Sequence, residues 1–118
     1  MIIRLEQVEA LNRIMRERLE RRVFAHLLRR FARPCRELGE HQVWRTIGVG
    51  IERAKSLNIR RERDVIRYVA IMIAYGSDFH QTRPWAAAIL AAPLHSSWKI
   101  ERLFDEARSR YEQEGESQ

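Results

Sequence analysis

The residue types that most often perform chemistry are sparse in this sequence and form no catalytic or metal-binding pattern. The chain has four histidines and a single cysteine. A zinc site needs at least three ligands at helical or turn spacing, and the nearest approach to a ligand pair is Asp78 and His80 on either side of Phe79. Because a third ligand is missing, the sequence predicts no metal site, and we expect both residues to be solvated.

Cys35 is the one candidate nucleophile. Arg36 beside it could lower the pKa of the thiol, and His41 follows six residues later, but neighbours in sequence are not geometric partners. Gly48 and Gly50 do not make a phosphate-binding loop, since they lie in a helical pattern and no lysine follows. We expect a neighbouring helix to approach them closely. The sequence thus predicts no enzyme activity, no catalytic residue and no bound cofactor.

The positive charge of the chain has two explanations. The 118 residues carry a net charge of +6, and 20 of the 22 basic residues are arginine. Codon usage in a GC-rich bacterial genome would produce such a bias without any function. Alternatively, the arginines form a surface that binds anionic groups, because guanidinium suits bidentate contacts with carboxylates and phosphates.

Helical periodicity dominates the chain, with apolar residues at steps of three and four. The first stripe predicts a long helix with a buried face, ended by Arg33-Pro34 because the residue before a proline leaves the α region. That stripe consists of Val8, Leu11, Met15, Leu19, Val23, Leu27 and Phe31. Further helices are predicted over about 40–57, 61–75 and 84–91, and a last one is predicted to be capped by Ser97.

Local signals predict how these helices end and where the domain stops. Asn58 is expected in the left-handed conformation of a Schellman ending, and Gly76 is expected to end the third helix. No segment alternates with period two, so no strand is expected. We predict an all-α fold: a single compact bundle of about five helices, with a long first helix, over residues 1–112. The polar tail, residues 113–118, is expected to be frayed.

A nucleic-acid-binding motif is the main alternative to a protein-binding function. The segment 54–67, with Asn58 at a turn and several arginines after it, resembles a helix-turn-helix. However, an apolar residue is expected six positions after Asn58, and Asp64 stands there; Glu62 and Asp64 would also repel phosphates. We therefore expect at most weak, non-specific nucleic-acid binding.

Two residue sets are candidates for contact with a protein partner. The second half of the first helix has no acidic residue between Arg21 and Glu37, so Arg21, Arg22 and Arg29 could meet an acidic partner. Four aromatic residues lie on the third helix and in the loop after it, where they form either an interface or a core that the loop covers. They are Tyr68, Tyr75, Phe79 and Trp85, with Arg67 beside them.

An ordered set of motifs resembles a family of small bacterial accessory proteins encoded beside type VI secretion effectors and their adaptor chaperones. The motifs are Gly50-Ile51-Glu52-Arg53-Ala54, Glu62 to Tyr68, Met72 to Phe79 and Pro84 to Leu90. The likeness covers about residues 40–95, with a looser match in the first helix. His80 departs from it, since an acidic residue is expected after Phe79.

The resemblance implies a non-catalytic co-chaperone that binds an adaptor chaperone or an effector before secretion. It implies a bacterial cytoplasmic location, which the absence of a signal peptide or a long apolar run also favours. We expect a protein partner and no membrane. A DNA-binding regulator, an immunity protein for a neighbouring toxin and an unrecognised enzyme remain open.

Overall fold

The computed structural model describes residues 4–116, with side chains described as far as residue 114, and every regular element in this range is a helix. The all-α prediction is confirmed, although seven helices form where about five were expected. They are α1 (Leu5–Arg30), α2 (Ala32–Leu38), α3 (Glu40–Ser56), α4 (Glu62–Tyr75), α5 (Phe79–Thr82), α6 (Pro84–Ala91) and α7 (Ser96–Glu116).

The two additional helices are short. Pro34 does not end the first helix; α1 ends at Arg30, and Pro34 lies in the first turn of α2, where a missing N–H costs no intrahelical hydrogen bond. The second extra helix, α5, is a single turn in the predicted loop after Gly76. The correction follows from the double role of proline, which blocks a helix interior but fits a helix start.

Helix ends that depend on local backbone chemistry are where the sequence predicts them. Asn58 has φ 65°, and the Ile59 N–H donates to the Ala54 carbonyl at 2.9 Å, which completes a Schellman ending for α3. Gly76 ends α4 with φ 97°, a conformation that favours glycine. Pro84 begins α6 as expected.

The start of α7 and its end differ from the prediction. Ser97 is not the cap, because the helix begins at Ser96. The His95 ring accepts the Ser97 N–H at 3.2 Å, and the His95 carbonyl accepts the Trp98 and Lys99 N–H groups at 3.0 Å. The helix continues through Glu116, into the tail that was expected to be frayed, and residues 117 and 118 lie outside the described part.

Helix α4 is the centre of the core. Nine of its 14 residues are buried, and α1, α2, α3, α5 and α7 all contact it. Helix α3 packs most closely, since a Cβ on Gly50 would lie 2.6 Å from Val69 Cγ2 and 3.1 Å from Met72 Sδ. The expected close approach is therefore confirmed at Gly50. At Gly48 it is wrong, because a Cβ there would meet nothing within 4 Å.

The apolar stripe of α1 is buried only in its second half. Val23 and Leu27 are fully buried, whereas Val8, Leu11 and Met15 are exposed. A helix of 26 residues is about 39 Å long, and the first half of α1 extends beyond the helices that cover the second half. The prediction of a buried stripe along the whole helix is wrong for this reason.

Two substitutions on α3 test the close approach at Gly50. We expect Gly50→Ala to lower the free energy of unfolding by about 1–3 kcal/mol, because the stiff Val69 side chain cannot move away from the new methyl group. Gly48→Ala is the matched control and should raise that free energy by about 0.5–1 kcal/mol through helix propensity alone. Urea unfolding of both variants measures the difference; equal effects would contradict the packing.

Candidate protein interface

Two of the four candidate aromatic residues belong to the core. Tyr68 and Phe79 are both 0% exposed, and their ring centroids lie 5.3 Å apart. Helix α5 folds back over α4 and brings Phe79 into this position. In this fold neither side chain presents surface to a partner, so their proposed role as anchors is corrected to a role in the core.

The other two aromatic residues form a half-buried cluster beside α7. The Tyr75 and Trp85 ring centroids are 5.5 Å apart, and the Tyr75 hydroxyl donates to the Ala107 carbonyl at 2.9 Å. Arg83 lies over the Tyr75 ring at 5.1 Å and Arg110 over the Trp85 ring at 5.3 Å. Both residues are therefore partly buried by contacts within the chain itself.

Arg67 lies at an open groove that combines charge with apolar surface. Its guanidinium is 3.8 Å from the buried Asp64 carboxylate and 5.2 Å from the centre of the Phe104 ring. Arg30, Arg63 and Arg108 line the same cavity, whose volume is 430 Å³. Phe31, Ile66, Phe104 and His26 complete the lining, so four arginines and several apolar side chains share one cavity.

This cavity continues into a second, apolar one. The second cavity has a volume of 220 Å³ and shares Arg30, Phe31, Phe104 and Arg108 with the first. Together they form a groove between α4 and α7 that the α1–α2 junction borders, and we call it the α4–α7 groove. Its α4 side is formed by Arg63, Ile66, Arg67, Ala70, Ile71, Ala74 and Tyr75, and its α7 side by Phe104, Ala107, Arg108, Tyr111 and Glu112. Arg33 of α2 also lines the apolar cavity.

A second surface lies on α1, where large apolar side chains face solvent. Val8, Leu11 and Met15 follow one line along the helix at steps of three and four, flanked by Leu5 and Ile14. Leu5 is 73% exposed and Met15 is 58% exposed. We call this set the α1 apolar face.

Basic residues continue the α1 apolar face toward the end of the helix. Arg18 stands seven residues after Leu11, Arg22 seven after Met15, and Arg29 seven after Arg22, so they share its side of the helix. Arg21 is exposed beside them. Arg22 forms an ion pair with Glu62 at 2.8 Å, whereas Arg21 and Arg29 make no ion pair with any side chain of residues 4–114. Three of the predicted partner-binding residues are thus accessible.

The candidate nucleophile Cys35 is buried, and the candidate metal ligands are dispersed. Burial raises the pKa of the Cys35 thiol, which lowers its reactivity, and its sulfur lies 3.8 Å from the Leu27 carbonyl oxygen. Among the described residues no three histidine, cysteine, aspartate or glutamate side chains lie close enough to hold a metal ion.

The helix-turn-helix interpretation requires an exposed second helix, and the structure buries it. That helix would be α4, which has nine buried residues of 14 and lies at the centre of the core. A recognition helix must enter the major groove with its side chains free. Arg60, Arg61 and Arg63 are exposed at its start, so the segment can still attract phosphate groups. Because most of the rest of the helix is buried, sequence-specific contact with bases is disfavoured.

Comparison of the chain with protein-family models, curated proteins and solved structures finds no match in any of the three. No helix in the described range is both long and apolar enough to cross a membrane.

Substitution of Phe79 tests its core position. We expect Phe79→Ala to lower the free energy of unfolding by about 3–5 kcal/mol, since it leaves a cavity beside Tyr68. Trp98→Ala is the matched aromatic control: Trp98 is 61% exposed, and its loss should change the free energy by less than about 0.5 kcal/mol. Similar denaturation midpoints for the two variants would contradict the burial of Phe79.

Tyr75 should make the fold less stable at alkaline pH. Burial raises its pKa to about 12, with Glu114 adding to the rise while Arg83 and Arg110 oppose it. An unfolded tyrosine titrates near 10. Between about pH 10 and 12 the unfolded chain therefore loses this proton while the folded chain keeps it, so stability falls as pH rises.

Urea midpoints at pH 9 and pH 11 measure this dependence. The wild type should lose stability between the two values, and Tyr75→Phe should lose less. At pH 9 the variant itself should be weaker by about 1 kcal/mol, because the hydrogen bond to Ala107 is absent. An equal loss in both proteins would show that Tyr75 is not responsible.

Proposed function

We propose that this protein is a non-catalytic, protein-binding accessory or co-chaperone that associates with a type VI secretion adaptor chaperone or effector before secretion. Its action is stoichiometric association, in which no covalent bond is made or broken, and we place it in the bacterial cytoplasm. The observation that carries the proposal is the α1 apolar face. The resemblance to type VI accessory proteins supplies the class of partner.

The α1 apolar face has the properties of a recognition surface. Five large apolar side chains are exposed within 11 residues, Leu5 to Met15, of one continuous helix. Contiguous exposed apolar surface of this kind usually marks a site of protein interaction. A membrane is a weaker candidate, since Glu6, Glu9 and Glu17 lie on the same half of the helix and repel anionic lipid.

The fixed position of α1 makes this surface ready for binding. The Arg16 guanidinium donates to the Gly48 carbonyl at 3.0 Å and pairs with Glu20 and Glu52. These contacts tie the middle of α1 to α3, and Val23 and Leu27 bury its second half. A partner that meets the first half consequently meets a formed helix rather than one that it must order, which lowers the entropic cost of association.

The basic continuation of α1 favours an acidic partner. Arg18, Arg21 and Arg29 make no ion pair with any side chain of residues 4–114, so they can meet carboxylates on the partner. Charge complementarity of this kind accelerates encounter and selects among partners more than it adds to affinity. A helix or strand with apolar residues followed by acidic ones would fit this side of α1.

Co-expression with the adaptor chaperone and the effector encoded by neighbouring genes tests the proposal. The wild type should purify in a stoichiometric complex with one of them. Leu11→Glu or Met15→Glu should weaken that complex by about 2 kcal/mol or more, because a charge enters the apolar contact. Neither substitution should move the melting temperature, since both side chains are exposed in the free protein.

Leu94→Glu provides the control, since Leu94 is 39% exposed between α6 and α7, two helices that do not contact α1. Its complex should match the wild type within experimental error. If the wild type purifies alone in the presence of both neighbouring proteins, the proposed function is wrong. Rescue of cells from the effector's toxicity without a stoichiometric adaptor complex would identify an immunity protein instead.

A further inference from the structure

We propose that the α4–α7 groove binds an acidic amphipathic helix of the partner protein. This inference rests on the proposed function, because it takes the partner to be a protein, and it assigns a second contact that the α1 apolar face does not provide. The groove has three properties that together fit such a helix: its length, its small-residue base and its asymmetric charge.

The length and base of the groove fit about three turns of helix. It follows α4 from Arg63 to Tyr75, a distance of about 18 Å at 1.5 Å per residue. Ala70, Ala74 and Ala107 stand along its apolar half, where their short side chains leave a hollow of 220 Å³. Leucine or phenylalanine side chains one helical turn apart could enter this hollow, as in other helix-in-groove contacts.

Unbalanced positive charge lies at one end of the groove. Arg63 and Arg67 line that end alone, Arg30 and Arg108 line both cavities, and at the other end Arg33 and Glu112 oppose each other in charge. Arg63 and Arg67 both approach Asp64, at 3.7 and 3.8 Å, so a single buried carboxylate faces two guanidinium groups. Arg108 is 3.9 Å from the exposed Asp105, and Arg30 makes no ion pair with a side chain in the part of the chain whose side chains are described, residues 4–114. Positive charge therefore exceeds negative charge at this end, and one or two partner carboxylates would complete the pairing.

Two other occupants fit the groove less well. Nucleic acid has evenly spaced phosphates, which would satisfy the arginines but leave the apolar half empty. A second copy of the chain carries the same net charge of +6, which opposes docking at a cluster of arginines. An acidic helix with one apolar side satisfies both halves of the groove at once.

The test uses the wild-type protein and a defined probe. The probe is a synthetic helical peptide of about 14 residues, with leucines one turn apart along one side and glutamates in the first two turns. The matched control replaces each glutamate with glutamine. We expect the acidic peptide to bind at least about tenfold more tightly than the control and to lose affinity as salt rises. Equal affinities, or no binding of either peptide, would overturn the inference.

Variants of the α4–α7 groove then test whether the peptide and the partner protein bind at the same place. Arg30→Glu combined with Arg108→Glu should lower the affinity for the acidic peptide by about 30-fold or more. It should lower the affinity for the adaptor or effector by a similar factor. Ala74→Trp, which fills the apolar half, should do the same, and Arg45→Glu on α3 should change neither. Circular dichroism and thermal melting verify that each variant is folded.

The outcomes separate this inference from the proposed function. If the complex forms but the groove variants leave it unchanged, the groove assignment is wrong and the proposed function stands. If no complex forms while the acidic peptide binds at the groove, the adaptor or effector assignment fails and the groove specificity stands. Displacement of the peptide by duplex DNA of equal charge at equal concentration would show that the groove recognises phosphate and would overturn the inference.

Discussion

Helix α4 sets the arrangement of the other helices, because it is apolar on nearly every side. The segment from Val65 to Ile73 contains one charged residue, Arg67, and every other member is buried. A helix with this composition is stable in water only when other elements surround it. Five helices make that shell, and α3 comes so close that Gly50 has no room for a side chain beside Val69.

Both candidate surfaces arise because the helices around α4 do not cover all of α4 or all of α1. Helix α4 has 14 residues and is about 21 Å long, whereas α1 has 26 and is about 39 Å long, so α1 overhangs the core that it covers. Its overhanging half carries the apolar face. The α4–α7 groove lies where the shell is incomplete, along the side of α4 from which Arg67 reaches solvent.

The sequence predicts features that depend on neighbouring residues and misses those that depend on distant ones. Asn58, Gly76 and Pro84 fix helix ends through their own backbone preferences, so those ends are predictable. Periodicity likewise finds the apolar stripe of α1, but it cannot tell whether another helix covers Leu11 or Met15. For Phe79 the sequence leaves core and interface open, because its burial depends on how α5 folds back onto Tyr68, and a loop sequence contains no signal that decides that contact.

The arginine bias has a structural use in this fold beyond any effect of codon usage. Arg67, Arg83 and Arg110 each lie over an aromatic ring at 5.1–5.3 Å, a contact that the flat, weakly hydrated guanidinium makes better than an ammonium group does. A guanidinium on a ring still has N–H donors at its edge. Arg67 can therefore pack on Phe104 in the free protein and donate to a carboxylate in a complex without moving. Such a side chain loses little freedom on binding, which is why an arginine-lined apolar groove is suited to an acidic partner.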